Sequence, residues 1–199
     1  MEPIILASGS PRRQDFFRLL GLPFICIPSM IEETRLPDVS PREIAENLAL
    51  RKVMAVVEKT GKQREKEAAK WVFGADTIVV LDGEIYGKAP DRGAAAAMLK
   101  CLAGRSHEVI TAMALYNGYN KKADIRSVSC HVEFAPLSAA EIEWYLKTGE
   151  WQGAAGSYQL QGLGGCLVKS VQGSPSNVAG LPLQEFYVML RENGYLYGS

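Results

Sequence analysis

Ile4-Ile5-Leu6-Ala7-Ser8-Gly9-Ser10-Pro11-Arg12-Arg13 is the stretch from which the fold is read. Ile4 to Ala7 is an apolar run suited to a buried strand, and Gly9 permits a tight exit from it. Ser10 suits an N-cap and Pro11 the first helical position, so the spacing predicts a strand, a short turn and a helix. That helix would present its N-terminal backbone N–H groups and positive dipole end beyond the strand. Ser8, Ser10, Arg12 and Arg13 surround that point, which marks it as a phosphate site.

Further elements follow down the chain. The first helix is expected from Pro11 to about Leu20, with Phe16, Phe17 and Leu20 inward and Gly21 as the stop, followed by a strand near Phe24 to Pro28. Ser40-Pro41-Arg42-Glu43 is a capping box that starts a second helix, expected to reach Lys59 before Gly61. Ala45, Ala49, Lys52 and Val56 fall at i, i+4, i+7 and i+11, so Lys52 shares the buried face. The charged stretch from Lys62 to Lys70 reads as a solvated loop or helix end.

Trp71 to Leu81 reads as a central strand that carries one carboxylate, Asp76, on the same face as Ile78 and Val80. Aspartate is costly to bury alone, so a lysine, a metal or substrate must offset its charge. Asp82-Gly83 turns the strand into a short hairpin. A helix from Asp91 to Leu102 follows, then strands from about Glu108 to Leu115 and Ala123 to Phe134 joined across Asn117-Gly118. Ser138-Ala139-Ala140-Glu141 is a second capping box opening a helix through Lys147. Gly165 to Val171 resembles a strand, and Leu183 to Glu192 a closing helix. A strand, a turn and a capped helix, as at the start of the chain, occur in most α/β proteins.

Composition excludes several classes. The chain has 199 residues, 47% hydrophobic and 22% charged, which is ordinary for a globular protein. Its 22 basic and 22 acidic side chains cancel, so no global field favours a nucleic acid polymer. Cys26, Cys101, Cys130 and Cys166 form no CxxC pair; they suggest neither zinc nor a disulfide framework and read as buried or semi-buried thiols. Without a signal pattern or a bilayer-length apolar run, no membrane association and a cytoplasmic location are expected. There is no G-x-S-x-G elbow and no Walker lysine after Gly9.

The remaining candidates are Lys52, Asp76, Lys88, Arg12, Arg13, Glu32 and Glu33. Carboxylates beside several cations and an anion site are what metal-assisted phosphoryl chemistry requires. His107 could act as a base, though a single histidine between loop and strand also reads as a hydrogen-bonded structural residue; His131 tells less.

These residues fall within an ordered set of motifs. Leu6-Ala-Ser-Gly-Ser-Pro-Arg-Arg13, Gly74-Ala-Asp-Thr77, Gly87-Lys88, Ser106-His-Glu-Val109 with Thr111, Leu137-Ser138 to Glu141-Ile142, Gln161-Gly162-Leu163-Gly164 and Ser176-Asn177 with Gly180-Leu181-Pro182 together resemble the Maf-like nucleoside triphosphate pyrophosphatases over essentially the whole chain. The resemblance implies one Maf-like domain over 1–199 with a Maf/ITPase-like fold: a mixed twisted sheet with flanking helices, in two lobes around a central cleft. It implies hydrolysis of a nucleoside triphosphate to monophosphate and pyrophosphate with a divalent cation, Mg²⁺ or Mn²⁺, and a homodimer.

By that resemblance Asp76 is the proton acceptor, and Glu33 with Asp76 the metal ligands. Lys52, Lys88 and Glu33 join Asp76 in the catalytic set, and Ser8, Ser10, Arg12 and Arg13 bind substrate. Thr77 and Gln161 resemble the branch that acts on dTTP and UTP rather than 7-methyl-GTP, with Arg12 as its third specificity position. An amide at Gln161 can donate and accept toward a pyrimidine edge.

The chain departs from the family's usual Asp-Lys-Ala-Gly at Gly153-Ala154-Ala155-Gly156, from Gly-Lys-Pro at Gly87-Lys88-Ala89-Pro90, and from a common aromatic near Gly173-Ser174-Pro175-Ser176. One lost phosphate-facing cation is worth about 1.5–3 kcal/mol, or roughly 10- to 100-fold in rate. The departures leave two other readings: a nucleotide-binding regulator of cell division or septum formation with weak catalysis, and a pyrophosphatase for modified nucleotides such as 7-methyl-GTP.

Overall fold

The computed structural model describes residues 1–32, 39–63 and 70–196. Glu33, a candidate metal ligand, therefore lies outside the described residues. The chain is mixed α/β. In order come β1 (Ile4–Leu6), α1 (Pro11–Leu19), β2 (Phe24–Cys26), α2 (Pro41–Gln63), β3 (Trp71–Leu81), β4 (Glu84–Tyr86), α3 (Arg92–Leu102), β5 (Ser106–Asn117), β6 (Lys122–Phe134), α4 (Ala139–Thr148), a 3₁₀ turn (Leu163–Leu167), β7 (Val168–Gln172), α5 (Pro175–Val178) and α6 (Leu183–Glu192).

The strands form one sheet in the order β2-β1-β3-β5-β6-β7, with β4 paired to β3. β1 is parallel to both β2 and β3, whereas β3–β4 and β6–β7 are antiparallel. The chain divides into two compact units: Met1–Asp76 with Thr111–Val128 and Gly180–Ser199, and Thr77–Ile110 with Ser129–Ala179. Each unit has its own core. In the first, Phe17, Phe73 and Phe186 pack ring against ring with Ile4, Leu6, Met113 and Leu181. In the second, Leu99, Leu102, Val132, Phe134, Tyr145 and Tyr158 form the centre. No helix among the described residues is long and apolar enough to cross a membrane.

Both capping boxes form. The Ser40 and Glu43 side chains exchange hydrogen bonds with each other's backbone N–H, and Ser138 and Glu141 do the same. Other boundaries differ from expectation. α2 passes through Gly61 to Gln63, because glycine ends a helix only where it turns left-handed, and Gly61 is not among the glycines with positive φ. Leu20 is the C-cap of α1 rather than part of its inward face and is 40% exposed.

The β5–β6 connection occupies residues 118–121, longer than Asn117-Gly118 alone. Asn117 and Asn120 each accept the N–H two residues on, and Lys121 has φ 58°. Gly165 to Leu167 belong to the 3₁₀ turn, so the strand starts only at Val168. Of the cysteines only Cys130 is buried; Cys26, Cys101 and Cys166 are exposed, since none lies on the inner face of its element.

Gly74 fixes how closely β3 meets α2. A Cβ there would stand 2.9 Å from Val53 Cγ2 and 3.3 Å from the Ala49 carbonyl oxygen, both in the interior. Gly74→Ala is expected to destabilise the protein by about 1–3 kcal/mol through overpacking, measured by urea unfolding. Gly61→Ala, with nothing within 4 Å of the added methyl, is expected to hold or raise stability.

Candidate active site

β1 and β3 are parallel neighbours, with Leu6 opposite Phe73 and the Ala7 N–H donating to the Phe73 carbonyl at 2.7 Å. Their chain directions therefore carry Ser8-Gly9-Ser10 and Gly74-Ala75-Asp76 toward the same edge of the first unit, the carboxyl side where open α/β sheets bind ligands. Ser10 takes the N-cap position of α1 with extended backbone, and Pro11 follows as the first helical residue. The Ser10 hydroxyl makes no capping bond; the Ser10 N–H instead donates to Ser8 Oγ at 3.3 Å.

Arg13 is 8% exposed and braces this loop from within. Its Nη1 donates to Ser8 Oγ at 3.1 Å and its Nε to the Gly180 carbonyl at 2.9 Å. Gly180 has φ 100°, a conformation that glycine adopts without strain. This bond links the first helix to the Gly180-Leu181-Pro182 motif far along the chain. Two of the Arg13 donors are thus committed to the protein, which makes Arg13 a residue that holds Ser8 in place. Arg12, the next helical residue along, is half-buried.

Lys52 projects inward from α2, as its helical spacing predicts. It is 7% exposed, Asp76 is 6% exposed, and Lys52 Nζ donates to Asp76 Oδ1 at 2.5 Å. The charge burial that the strand sequence demanded is met by this lysine. α2 is held in turn by Arg42, which donates to Ser127 Oγ at 2.6 Å, and by Glu46, which accepts from the same hydroxyl. Ser8–Arg13 and Lys52–Asp76 are the two groupings of candidates that the first unit brings together.

Thr77, Lys88 and Gln161 belong to the second unit. Thr77, half-buried, follows Asp76 in β3 and so faces the opposite side of the sheet. Lys88 is exposed and its backbone pairs with Ala155 in an isolated antiparallel bridge. That bridge lies beside Gly153-Ala154, and Ala154 itself is 1% exposed. Gln161 is exposed, and its Nε2 donates to Gln159 Oε1 at 3.1 Å.

Sequence reasoning missed Glu150. Its carboxylate accepts from the Leu163 N–H at 3.0 Å and the Gly164 N–H at 3.2 Å, capping the 3₁₀ turn beside Gln161. Asn177 was quoted only as part of a motif. It is fully buried, and its Nδ2 donates to the Val109 carbonyl at 2.9 Å. No local pattern announces either contact, because their partners lie far away in sequence. Glu32 has an exposed side chain, and its carbonyl accepts from Arg51 at 3.0 Å.

His107 is structural. It is 2% exposed, packs edge-on to Phe134 and Tyr158, and its Nε2 lies 2.8 Å from the Tyr158 hydroxyl. Nδ1 has no hydrogen-bond partner among the described residues. A proton there would be an unsatisfied buried donor, so the proton belongs on Nε2, donating to Tyr158. Burial, aided by His131, pushes the ring from 6.5 down to about 4.

The fold thus favours the neutral ring. Its contribution is complete above about pH 6.5 and disappears as pH falls toward 4, where the unfolded chain binds the extra proton. Unfolding measured between pH 7 and 4 is expected to show a loss of about 3 kcal/mol from this group, and His107→Gln to flatten that part of the profile.

Among the described residues no three His, Cys, Asp or Glu side chains cluster to form a metal cage. A single carboxylate such as Asp76 is nevertheless a donor set that suits Mg²⁺ or Mn²⁺. Such hard ions keep several waters and complete their coordination with substrate phosphates.

The chain matches the Maf family of Maf-like proteins over residues 3–193. It is 43% identical to the dTTP/UTP pyrophosphatase of Symbiobacterium thermophilum, covering 98% of this chain and 96% of that one. It is 42% identical to the dTTP/UTP pyrophosphatase of Escherichia coli O157:H7, covering 96% and 92% respectively. The solved structure of the Staphylococcus aureus Ham1 protein aligns at 17% identity with a TM-score of 0.46, covering 67% of this chain and 72% of that one, too loose a likeness to bear on the fold. Matched from residue 3 to residue 193 and more than 40% identical to both relatives, this chain belongs to the Maf-like protein family.

Proposed function

We propose that this protein is a nucleoside triphosphate pyrophosphatase that hydrolyses dTTP and UTP to the monophosphate and pyrophosphate, clearing excess or non-canonical nucleotides. The observation that carries the reading is the buried Lys52–Asp76 pair, whose Asp76 stands on the strand parallel and adjacent to the one that leads into Ser8-Gly9-Ser10. The relatives' names support the reaction and its pyrimidine substrates.

The reaction is attack by water on the α-phosphorus, with cleavage of the bond between that phosphorus and the α,β-bridging oxygen; pyrophosphate leaves. Asp76 takes the proton from the water. Lys52 binds Oδ1 of Asp76, which turns Oδ2 to the water and keeps a cation beside the charge that develops in the transition state. Ser8, Ser10 and the backbone N–H groups at the start of α1 bind phosphate oxygens, with Arg13 holding Ser8 in position. Arg12 and Lys88 add cationic contacts to the triphosphate, while Thr77 and Gln161 select the base. Mg²⁺ or Mn²⁺, when held by Asp76 and Glu33, supplies charge neutralisation on the phosphate oxygens. The reading carries with it a cytoplasmic location, where the nucleotide pool lies, and a homodimer.

Assay of dTTP, UTP, 7-methyl-GTP and 5-methyl-UTP is expected to show equimolar pyrophosphate and monophosphate, fastest from dTTP and UTP. Chelation of divalent ions is expected to stop turnover, and Mg²⁺ or Mn²⁺ to restore it. Asp76→Asn should lower kcat by about 10²- to 10⁴-fold, the usual worth of a general base. Nucleotide binding with no pyrophosphate from any substrate would overturn the enzymatic reading in favour of a nucleotide-binding regulator.

A further inference from the structure

The segment from the end of α4 to the 3₁₀ turn contains a chain of hydrogen bonds with a defined direction. α4 ends at Gly149, left-handed with φ 76°, and Glu150 follows. The carbonyl of Glu150 accepts from Gln159 Nε2 at 2.6 Å, and Gln159 Oε1 accepts from Gln161 Nε2 at 3.1 Å. Gln159 is also fixed through its backbone, whose N–H donates to the hydroxyl of fully buried Tyr145 at 3.1 Å. The Glu150 carboxylate holds the far side of the loop through Leu163 and Gly164. A Cβ at Gly162 would sit 2.6 Å from that carboxylate, so the loop closes on it tightly.

The direction follows from the first member. A backbone carbonyl can only accept, so Gln159 must turn its NH₂ toward Glu150. Its Oε1 then faces Gln161 and can only accept, so Gln161 must turn its own NH₂ toward Gln159. The two ends of a carboxamide lie on opposite sides of its carbon, so Gln161 Oε1 points away from Gln159. An otherwise ambiguous amide becomes an acceptor.

We propose that Gln159 is a specificity-positioning residue. Through the Glu150 carbonyl it sets the Gln161 carboxamide so that Oε1 accepts from N3–H of a uracil or thymine base. N3–H is the one donor on the Watson–Crick edge of those bases, whereas cytosine presents a lone pair at N3. Reversal of the Gln161 amide would invert the preference at that position. The inference rests on the reading of Gln161 as the residue that meets the base.

The test compares UTP with CTP in the wild type, Gln159→Met and Gln159→Glu. Binding of the non-hydrolysable α,β-methylene analogues and kcat/KM are both measured. Methionine keeps the side chain's length but sets no polarity, so Gln161 can turn either way and the UTP-over-CTP ratio should fall by about tenfold. Glutamate still accepts from Gln161 Nε2, so the ratio should stay within about threefold of wild type, even though the bond to Glu150 is lost. A role confined to loop stability gives the opposite order, because glutamate opposes the Glu150 carbonyl and methionine does not.

An unchanged ratio in Gln159→Met, or a glutamate variant as permissive as methionine, overturns the proposal. So does a wild-type protein that treats UTP and CTP alike while releasing pyrophosphate from both, an outcome that leaves the enzymatic reading intact. Discrimination between the analogues without pyrophosphate release, lost in Gln159→Met and kept in Gln159→Glu, supports the proposal while removing the enzymatic reading.

Discussion

A buried ion pair constrains the first unit. Asp76 stands in a strand buried on both sides, and a charge in that position requires a partner at hydrogen-bond distance. Lys52 is that partner, and it reaches Asp76 because α2 lies close against β3. The close approach in turn requires a residue without a side chain at Gly74. A hydrophobic pair of similar volume would cost less desolvation than these two charges. The position therefore makes chemical sense as a site where a carboxylate is needed, at the edge to which the Ser8 loop also leads.

The Ser8 loop depends on a second internal brace. Ser8 is not left to solvent and loop flexibility: Arg13 bonds its hydroxyl from inside and anchors on the Gly180 carbonyl. A residue in the first helix and a glycine near the last are thus parts of one support. The exposed candidates, Lys88 and Gln161, differ in kind, since each belongs to a loop whose backbone is set by hydrogen bonds from elsewhere in the second unit. In the reaction proposed above, the buried groups set positions that must not drift, and the exposed ones meet a nucleotide that arrives from water.

Much of this was legible in the sequence because its causes are local. The capping boxes at Ser40 and Ser138, the strand around Asp76 and the inward phase of Lys52 follow from spacings within one or two turns. What was hidden depends on residues distant along the chain. The bond from Arg13 to Gly180 is one such case, because nothing near position 13 reveals an acceptor 167 residues on. Gly165 reads as the start of a strand until the Glu150 carboxylate caps the preceding backbone into a 3₁₀ turn. Gly61 reads as a helix stop because glycine often is one, although only its backbone angle decides. His107 was open between base and brace, and burial beside Tyr158 decides for the brace.

The most direct measurement replaces the ion pair with apolar residues, comparing Lys52→Met, Asp76→Leu and the double variant for urea stability and pyrophosphate release. Lys52→Met alone is expected to lose about 3–5 kcal/mol, because it strands a buried carboxylate. The double variant should return to within about 1 kcal/mol of the wild type, or exceed it, and release no pyrophosphate. A double variant as unstable as the single one would make the pair a structural requirement of the fold. A double variant that still turned over would remove Asp76 from the chemistry.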